Sequence, residues 1–132
     1  MVPLIEEIMT EKVCFISEGQ SVLEAAGQME QSKIGSLLVM REDEYVGILT
    51  EVDIVRKVVA KGLDPALVWV RDVMSYPLIT IEENQSVLDA NDLMEQKTVR
   101  HLCVTRKGSI VGVVSVRDLI HPLYIEPATF GF

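Results

Sequence analysis

The sequence predicts an α+β fold built from two copies of one β-α-β-β-α unit, related by a pseudo-twofold axis, and three observations predict it. Slid by 65 positions, the chain matches itself without a gap: Met9 falls on Met74, Gln20–Ala25 (QSVLEA) on Gln85–Ala90 (QSVLDA), Met29–Gln31 on Met94–Gln96, and Val46–Ile54 (VGILTEVDI) on Val111–Leu119 (VGVVSVRDL). Local signals for strands, caps and turns come in the same order within each copy. Finally, a unit of about 55 residues cannot bury both a sheet and its helices alone, so the two copies are expected to pack on each other.

Element by element, the first copy opens with a short β-prone run, Val13 to Ile16. Ser21 follows, a residue whose hydroxyl caps a helix while Glu24 closes a capping box. Val22, Ala25, Ala26 and Met29 then recur at i, i+3, i+4 and i+7, which is the buried face of one helix. The second copy repeats this with Leu78 to Ile81, Ser86 and Asp89, and with Val87, Ala90 and Met94. Two strands come next, Ile34 to Met40 and Tyr45 to Leu49, around the polar turn Arg41 to Glu44. Their counterparts are Val99 to Thr105 and Ile110 to Val114 around Arg106 to Ser109, where Gly108 permits the turn. A last helix closes each copy, Thr50 to Ala60 and Ser115 to about Leu119, with His121 and Pro122 reading as a helix end. Gly62 to Pro65 mark the linker. The expected division is repeat one over 1–62, repeat two over 66–123 and a tail over 124–132, whose aromatics suit either the core or a partner subunit.

Composition narrows the function. A chain of 132 residues, 48% hydrophobic, 24% charged and 5% aromatic, has the make-up of one compact globular module. No apolar run reaches the roughly 18 to 20 residues that span a bilayer, and the first residues carry acids where a secretory signal carries basic ones. A cytoplasmic protein without a membrane partner is expected. Twenty acids against twelve Lys and Arg give a net charge of −8, which disfavours nucleic acid or an anionic membrane as a partner. Cys14 and Cys103 are far apart and form no metal-ligand spacing, so no disulfide framework or metal site is expected. Both occupy apolar slots of the repeat, as buried inert thiols do. No GxSxG, HExxH, P-loop or GxGxxG pattern occurs, which argues against an enzyme.

Val46–Ile54 and Val111–Leu119 resemble the signature of the CBS (cystathionine β-synthase) domain family: Gly, two apolar residues, Thr or Ser, two residues, Asp. Each is preceded by Met-Thr or Met-Ser (Met9-Thr10, Met74-Ser75), a capped helix and an apolar strand, and the resemblance covers about residues 4–121. It implies a tandem CBS domain pair with a cleft on each side of the repeat interface that often holds an adenosine ligand. There the Asp binds ribose hydroxyls, the Thr or Ser meets phosphate, and the first strand of the opposite copy meets adenine through its backbone. Carried over by position, one expected cleft combines Ile48, Thr50, Val52 and Asp53 with Leu78, Ile79, Arg100 and His101. The other combines Val113, Ser115, Arg117 and Asp118 with Val13, Cys14, Gly35 and Ser36. The resemblance also implies a homodimer.

The residue types suit that chemistry on their own terms. A carboxylate can clamp vicinal hydroxyls, and a Thr or Ser at a helix start sits beside free N–H groups that suit phosphate. From Lys97 to Arg117 there is no acid, yet Lys97, Arg100, His101, Arg106, Lys107 and Arg117 all occur. The cleft with Asp53 and Arg100 is therefore expected to be the stronger one for AMP, ADP or ATP, through charge-assisted bonds to phosphate. Thr50–Asp53 and Ser115–Asp118 fit helix caps equally well, worth about 0.5 to 2 kcal/mol without any ligand. Gly47 and Gly112 suit close packing within a strand more than ligand contact. The expected function is a regulatory module that needs no cofactor, binds an adenine nucleotide between its repeats, and signals to an unidentified effector protein by a change of conformation or assembly. The alternatives are a ligand-free interaction or dimerisation module and an S-adenosylmethionine sensor.

Overall fold

A computed structural model describes residues 2–123, with side chains through Ile120. The expected tail, 124–132, lies outside the described residues. The β-α-β-β-α order holds in both copies. In the first it is β1 (Phe15–Ser17), α2 (Val22–Ser32), β2 (Ser36–Arg41), β3 (Glu44–Thr50) and α3 (Glu51–Ile54), and the short helix α1 (Ile5–Ile8) precedes it. The second has β4 (Thr80–Glu82), α5 (Val87–Lys97), β5 (His101–Arg106), β6 (Ser109–Ser115) and α6 (Val116–Leu123), preceded by the short helix α4 (Val70–Val73). Each sheet has three strands, ordered β1-β2-β3 and β4-β5-β6, with the first pair parallel and the hairpin antiparallel.

The caps form as the sequence anticipates. Ser21 accepts from the Glu24 N–H and Ser86 from the Asp89 N–H, both at 3.1 Å, and each acid returns to the N–H of its serine. Satisfying two orphan donors reciprocally fixes where each helix starts. The first strands are later and shorter than expected. Parallel pairing begins only at Phe15 opposite Leu38 and at Thr80 opposite Cys103, while Cys14 and Ile79 contribute only their carbonyls, to Leu38 and Cys103. The helix expected over 50–60 changes character: α3 gives way to a π-helical turn, Val55–Val59, which no apolar spacing reveals. The last helix reaches Leu123, beyond the expected stop near Leu119 and through His121 and Pro122. Both hairpins turn where expected, between Arg41 and Glu44 and between Arg106 and Ser109, and each carries a register shift in its first strand.

The compact units do not coincide with the sequence copies. One unit is Cys14–Leu78; the other joins the chain up to Val13 to the chain from Ile79 onward. The cause is that the Met-Thr and Met-Ser segments dock on the opposite copy from the one they introduce. Ser75 pairs with Ile48, exchanging hydrogen bonds of 2.8 and 3.0 Å, and Thr10 pairs with Val113 at 2.9 and 3.0 Å. Each unit has its own core. In Cys14–Leu78 it centres on Ile16, Val22, Leu37, Val39, Leu49, Val58 and Val70. In the other it centres on Ile5, Ile81, Val87, Leu102, Val104, Val114 and Leu119.

Candidate functional site

In both units the hairpin's second strand runs directly into a helix, and the residue at that junction is the helix cap. In Cys14–Leu78 it is Thr50, whose Oγ1 accepts from the Asp53 N–H at 3.2 Å. Asp53 Oδ2 accepts in return from the Thr50 N–H at 3.0 Å and from Oγ1 at 3.2 Å. The other carboxylate oxygen is engaged as well. Oδ1 accepts from Ser75 Oγ and pairs with Lys57 Nζ, both at 2.9 Å. Lys57 Nζ also donates to the Val73 carbonyl at 2.9 Å. Asp53 is only 5% exposed and sits inside this network. The interior helix-cap role that its spacing allowed is therefore realised, and it extends to the docked Ser75.

Among the described residues, the counterpart in the other unit has fewer partners. Asp118 is half-buried, and Oδ2 accepts from the Ser115 N–H at 2.8 Å and Ser115 Oγ at 3.2 Å. No partner of its Oδ1 is seen among the described residues. Position 122, which corresponds to Lys57, is a proline. Arg100 and His101 lie at the same end of this sheet. His101 is the partner of Ser115 across β5 and β6, and the Arg100 carbonyl accepts from the Val116 N–H at 2.9 Å. Arg100 is exposed and His101 half-buried.

The remaining expected residues divide between the units. Ile48, Val52, Leu78, Cys14, Gly35 and Ser36 belong with Asp53, whereas Val13, Ile79, Val113 and Arg117 belong with Asp118. Ser36 is the strand partner of Thr50, and the Gly35 carbonyl accepts from the Glu51 N–H at 3.1 Å. A Cβ at Gly35 would lie 3.2 Å from Glu51 Cδ, so the first copy sets a glycine under an acid where the second sets Arg100 beside Val116. Ser75 and Lys57 were absent from the sequence-derived site. Lys57 stood four residues after Asp53, the ordinary spacing of a helical ion pair, and that was its only signal. A half-open hollow of about 320 Å³, lined by Arg41, Val46, Arg71, Asp72, Met74 and Tyr76, includes none of the expected site residues.

Of the two thiols expected to be buried, Cys103 is and Cys14 is not fully so. Cys103 is buried, and desolvation pushes its thiol up to about 11, whereas Cys14 is half-buried. Because the thiolate is the reactive form, Cys103 in the native protein should stay unmodified by Ellman's reagent at about pH 8 and react only once urea unfolds the chain. Rapid native reaction of both thiols would contradict this burial.

Comparison with known proteins agrees with the geometry. The model of the CBS domain family matches residues 5–60 and 70–124. An uncharacterised protein of Methanopyrus kandleri is 39% identical over 123 residues, 92% of this chain, which spans 61% of that protein's length. A CBS-domain protein of Burkholderia ambifaria superposes with a TM-score of 0.87 at 28% identity, covering 92% of this chain and 93% of that one. A hexameric CBS-CP12 protein from bloom-forming cyanobacteria gives a TM-score of 0.85 at 32% identity, over 92% of this chain and 72% of that one.

Proposed function

The chain belongs to the CBS domain family, and on that premise we propose that this regulatory module binds an adenine nucleotide, AMP, ADP or ATP, and passes the binding event on through a change of conformation or assembly. The observation that carries the reading is the grouping of Asp118, Ser115, Arg100 and His101 at one end of a single sheet. A carboxylate held by its serine offers acceptors to a ribose diol. The Arg100 guanidinium, which precedes His101 at that end of the sheet, offers charge-assisted bonds to phosphate, an uncommon provision in a chain of net charge −8. Asp53 and Thr50 repeat the acceptor half of that grouping, but the cation beside them, Lys57, is already paired with the carboxylate itself. Adenine itself needs only aliphatic walls and strand backbone, such as the Ile79 region supplies.

Ligand binding can shift the module only by its differential affinity for two arrangements, so the signal is a population shift read by an effector protein or a second copy. Self-association is part of the proposal. Val55 and Val59 are 56% and 64% exposed on the turn that follows α3, and the CBS-CP12 neighbour is hexameric. Self-association without any ligand is the competing reading, and those same valines are the observation that favours it.

Thermal unfolding against AMP, ADP, ATP, S-adenosylmethionine and GTP separates the two readings. At about a hundred times its dissociation constant, a ligand adds roughly 2.7 kcal/mol, several degrees for a chain of this size. An adenine nucleotide should give that shift and GTP should not; a flat panel supports the ligand-free module. Arg100→Ala should weaken ATP more than adenosine, whereas equal losses would remove Arg100 from the phosphate contacts.

A further inference from the structure

Two carboxylates at equivalent positions of a duplicated chain would be expected to do the same work, yet their surroundings differ in a way that decides what each can bind. A carboxylate has about four lone-pair directions. At Asp53 four donors meet them: the Thr50 N–H, Thr50 Oγ1, Ser75 Oγ and the Lys57 ammonium, all within 3.2 Å. At Asp118 the two donors seen among the described residues, both from Ser115, converge on Oδ2. Two sequence differences accompany this. Lys57 has Pro122 as its counterpart, so no ammonium can reach Asp118 from that position. Thr10 takes the place of Ser75 and makes the same backbone bridge, but no bond from its hydroxyl to Asp118 is seen among the described residues.

We infer that the repeats have divided the labour: Lys57 and Ser75 convert Asp53 into a latch that fastens the segment after α4 to the start of α3, leaving Asp118 as the sole diol-binding carboxylate, so that each chain binds one nucleotide. This rests on the adenine-nucleotide reading above. A ribose diol approaching Asp53 would have to displace an ammonium and a hydroxyl from a group that is 5% exposed. The diol would thus give up its own hydration to exchange with two donors already in place, with water left to take up the half-exposed ammonium and the half-buried hydroxyl, so little is gained by the exchange. Lys57 is held in place by a second bond, to the Val73 carbonyl at 2.9 Å, which keeps the ammonium beside Asp53. At Asp118 no donor among the described residues need leave Oδ1. Lys57 and Ser75 are in this sense specificity-determining residues that act through Asp53 without touching ligand.

Isothermal titration with ATP, and with AMP in parallel, tests the inference. The wild-type chain should bind one equivalent, and Asp118→Asn should weaken that binding at least tenfold with the unfolding transition retained. Lys57→Met combined with Ser75→Ala keeps the stem and the backbone bridge but frees Oδ1, and a second equivalent should appear. Adding Asp53→Asn to that pair should remove the second equivalent alone. Two equivalents in the wild type, or unchanged affinity in Asp118→Asn, would overturn the division of labour while leaving nucleotide binding intact. A released variant that folds and still binds only one equivalent would overturn the latch. Absence of heat and of thermal shift with every nucleotide would overturn the proposed function, and this inference with it.

Discussion

Gly47→Ala should lower the thermal midpoint by roughly 10 °C, the equivalent of about 3 kcal/mol for a chain of this length. A Cβ at Gly47 would lie 2.7 Å from Met74 Sδ and 2.9 Å from the Ser75 carbonyl oxygen. The thioether can swing aside, since methionine is the most adaptable of core side chains. The carbonyl cannot, because it accepts the Ile48 N–H at 3.0 Å and is held by the backbone bridge that docks the whole segment. Alanine therefore forces either overpacking or loss of the bridge. Gly112 meets Met9 Sδ and the Thr10 carbonyl, both at 2.9 Å, so Gly112→Ala should cost a similar amount in the other unit. Gly27 provides the opposite case. It lies inside α2 where an added methyl would meet nothing within 4 Å, and Gly27→Ala should raise stability by about 0.5 to 1 kcal/mol through helix propensity. Differential scanning calorimetry on the three variants checks the signs, and a harmless Gly47→Ala would mean that the Met-Ser segment is not docked on β3.

That docking also marks the limit of what could be read from the chain. The repeat, both capping boxes and both hairpin turns were legible because each is a local pattern of fixed spacing: Ser21 with Glu24, Ser86 with Asp89, and Arg106 to Ser109 around Gly108. The copy to which Met74-Ser75 and Met9-Thr10 attach was not legible, since a backbone bridge of two residues leaves no periodicity and the segments precede the copies they do not join. Gly47 and Gly112 are legible as packing positions within their strands, whereas the Met-Ser and Met-Thr segments packed against them are not. The candidate carboxylates are marked by the family resemblance, and their spacing from Thr50 and Ser115 marks them as caps. Their inequality is not marked, because it arises from Ser75, twenty-two residues further along, and from a lysine whose only mark was its place on the helix. The π-helical turn over Val55–Val59 left no trace either, as its hydrogen bonds alter by one residue a pattern that side-chain periodicity resolves only over longer spans.

Asp53→Ala should cost about 2 to 3 kcal/mol, and Asp118→Ala about 1 kcal/mol, when both are measured by urea unfolding without ligand. Each change removes a capping carboxylate, which accounts for the smaller figure. The excess at Asp53 comes from its second oxygen: truncation leaves Ser75 Oγ without its acceptor and Lys57 without its counter-ion. The ion pair supplies the lesser share, because the Lys57 side chain is 43% exposed, so water screens the pair and can rehydrate the ammonium. The Ser75 bond lies in a part-buried setting and supplies the greater share. Two consequences separate these contributions. Lys57→Met alone should cost under about 1 kcal/mol and lose most of its effect at high salt. In a double-mutant cycle, Asp53→Ala and Ser75→Ala should couple by at least about 0.5 kcal/mol, since residues sharing one hydrogen bond are not additive. Equal costs for the two aspartates, with no coupling to Ser75, would show that Asp53 acts only as a helix cap and that the Met-Ser segment is held by its backbone and Gly47 alone.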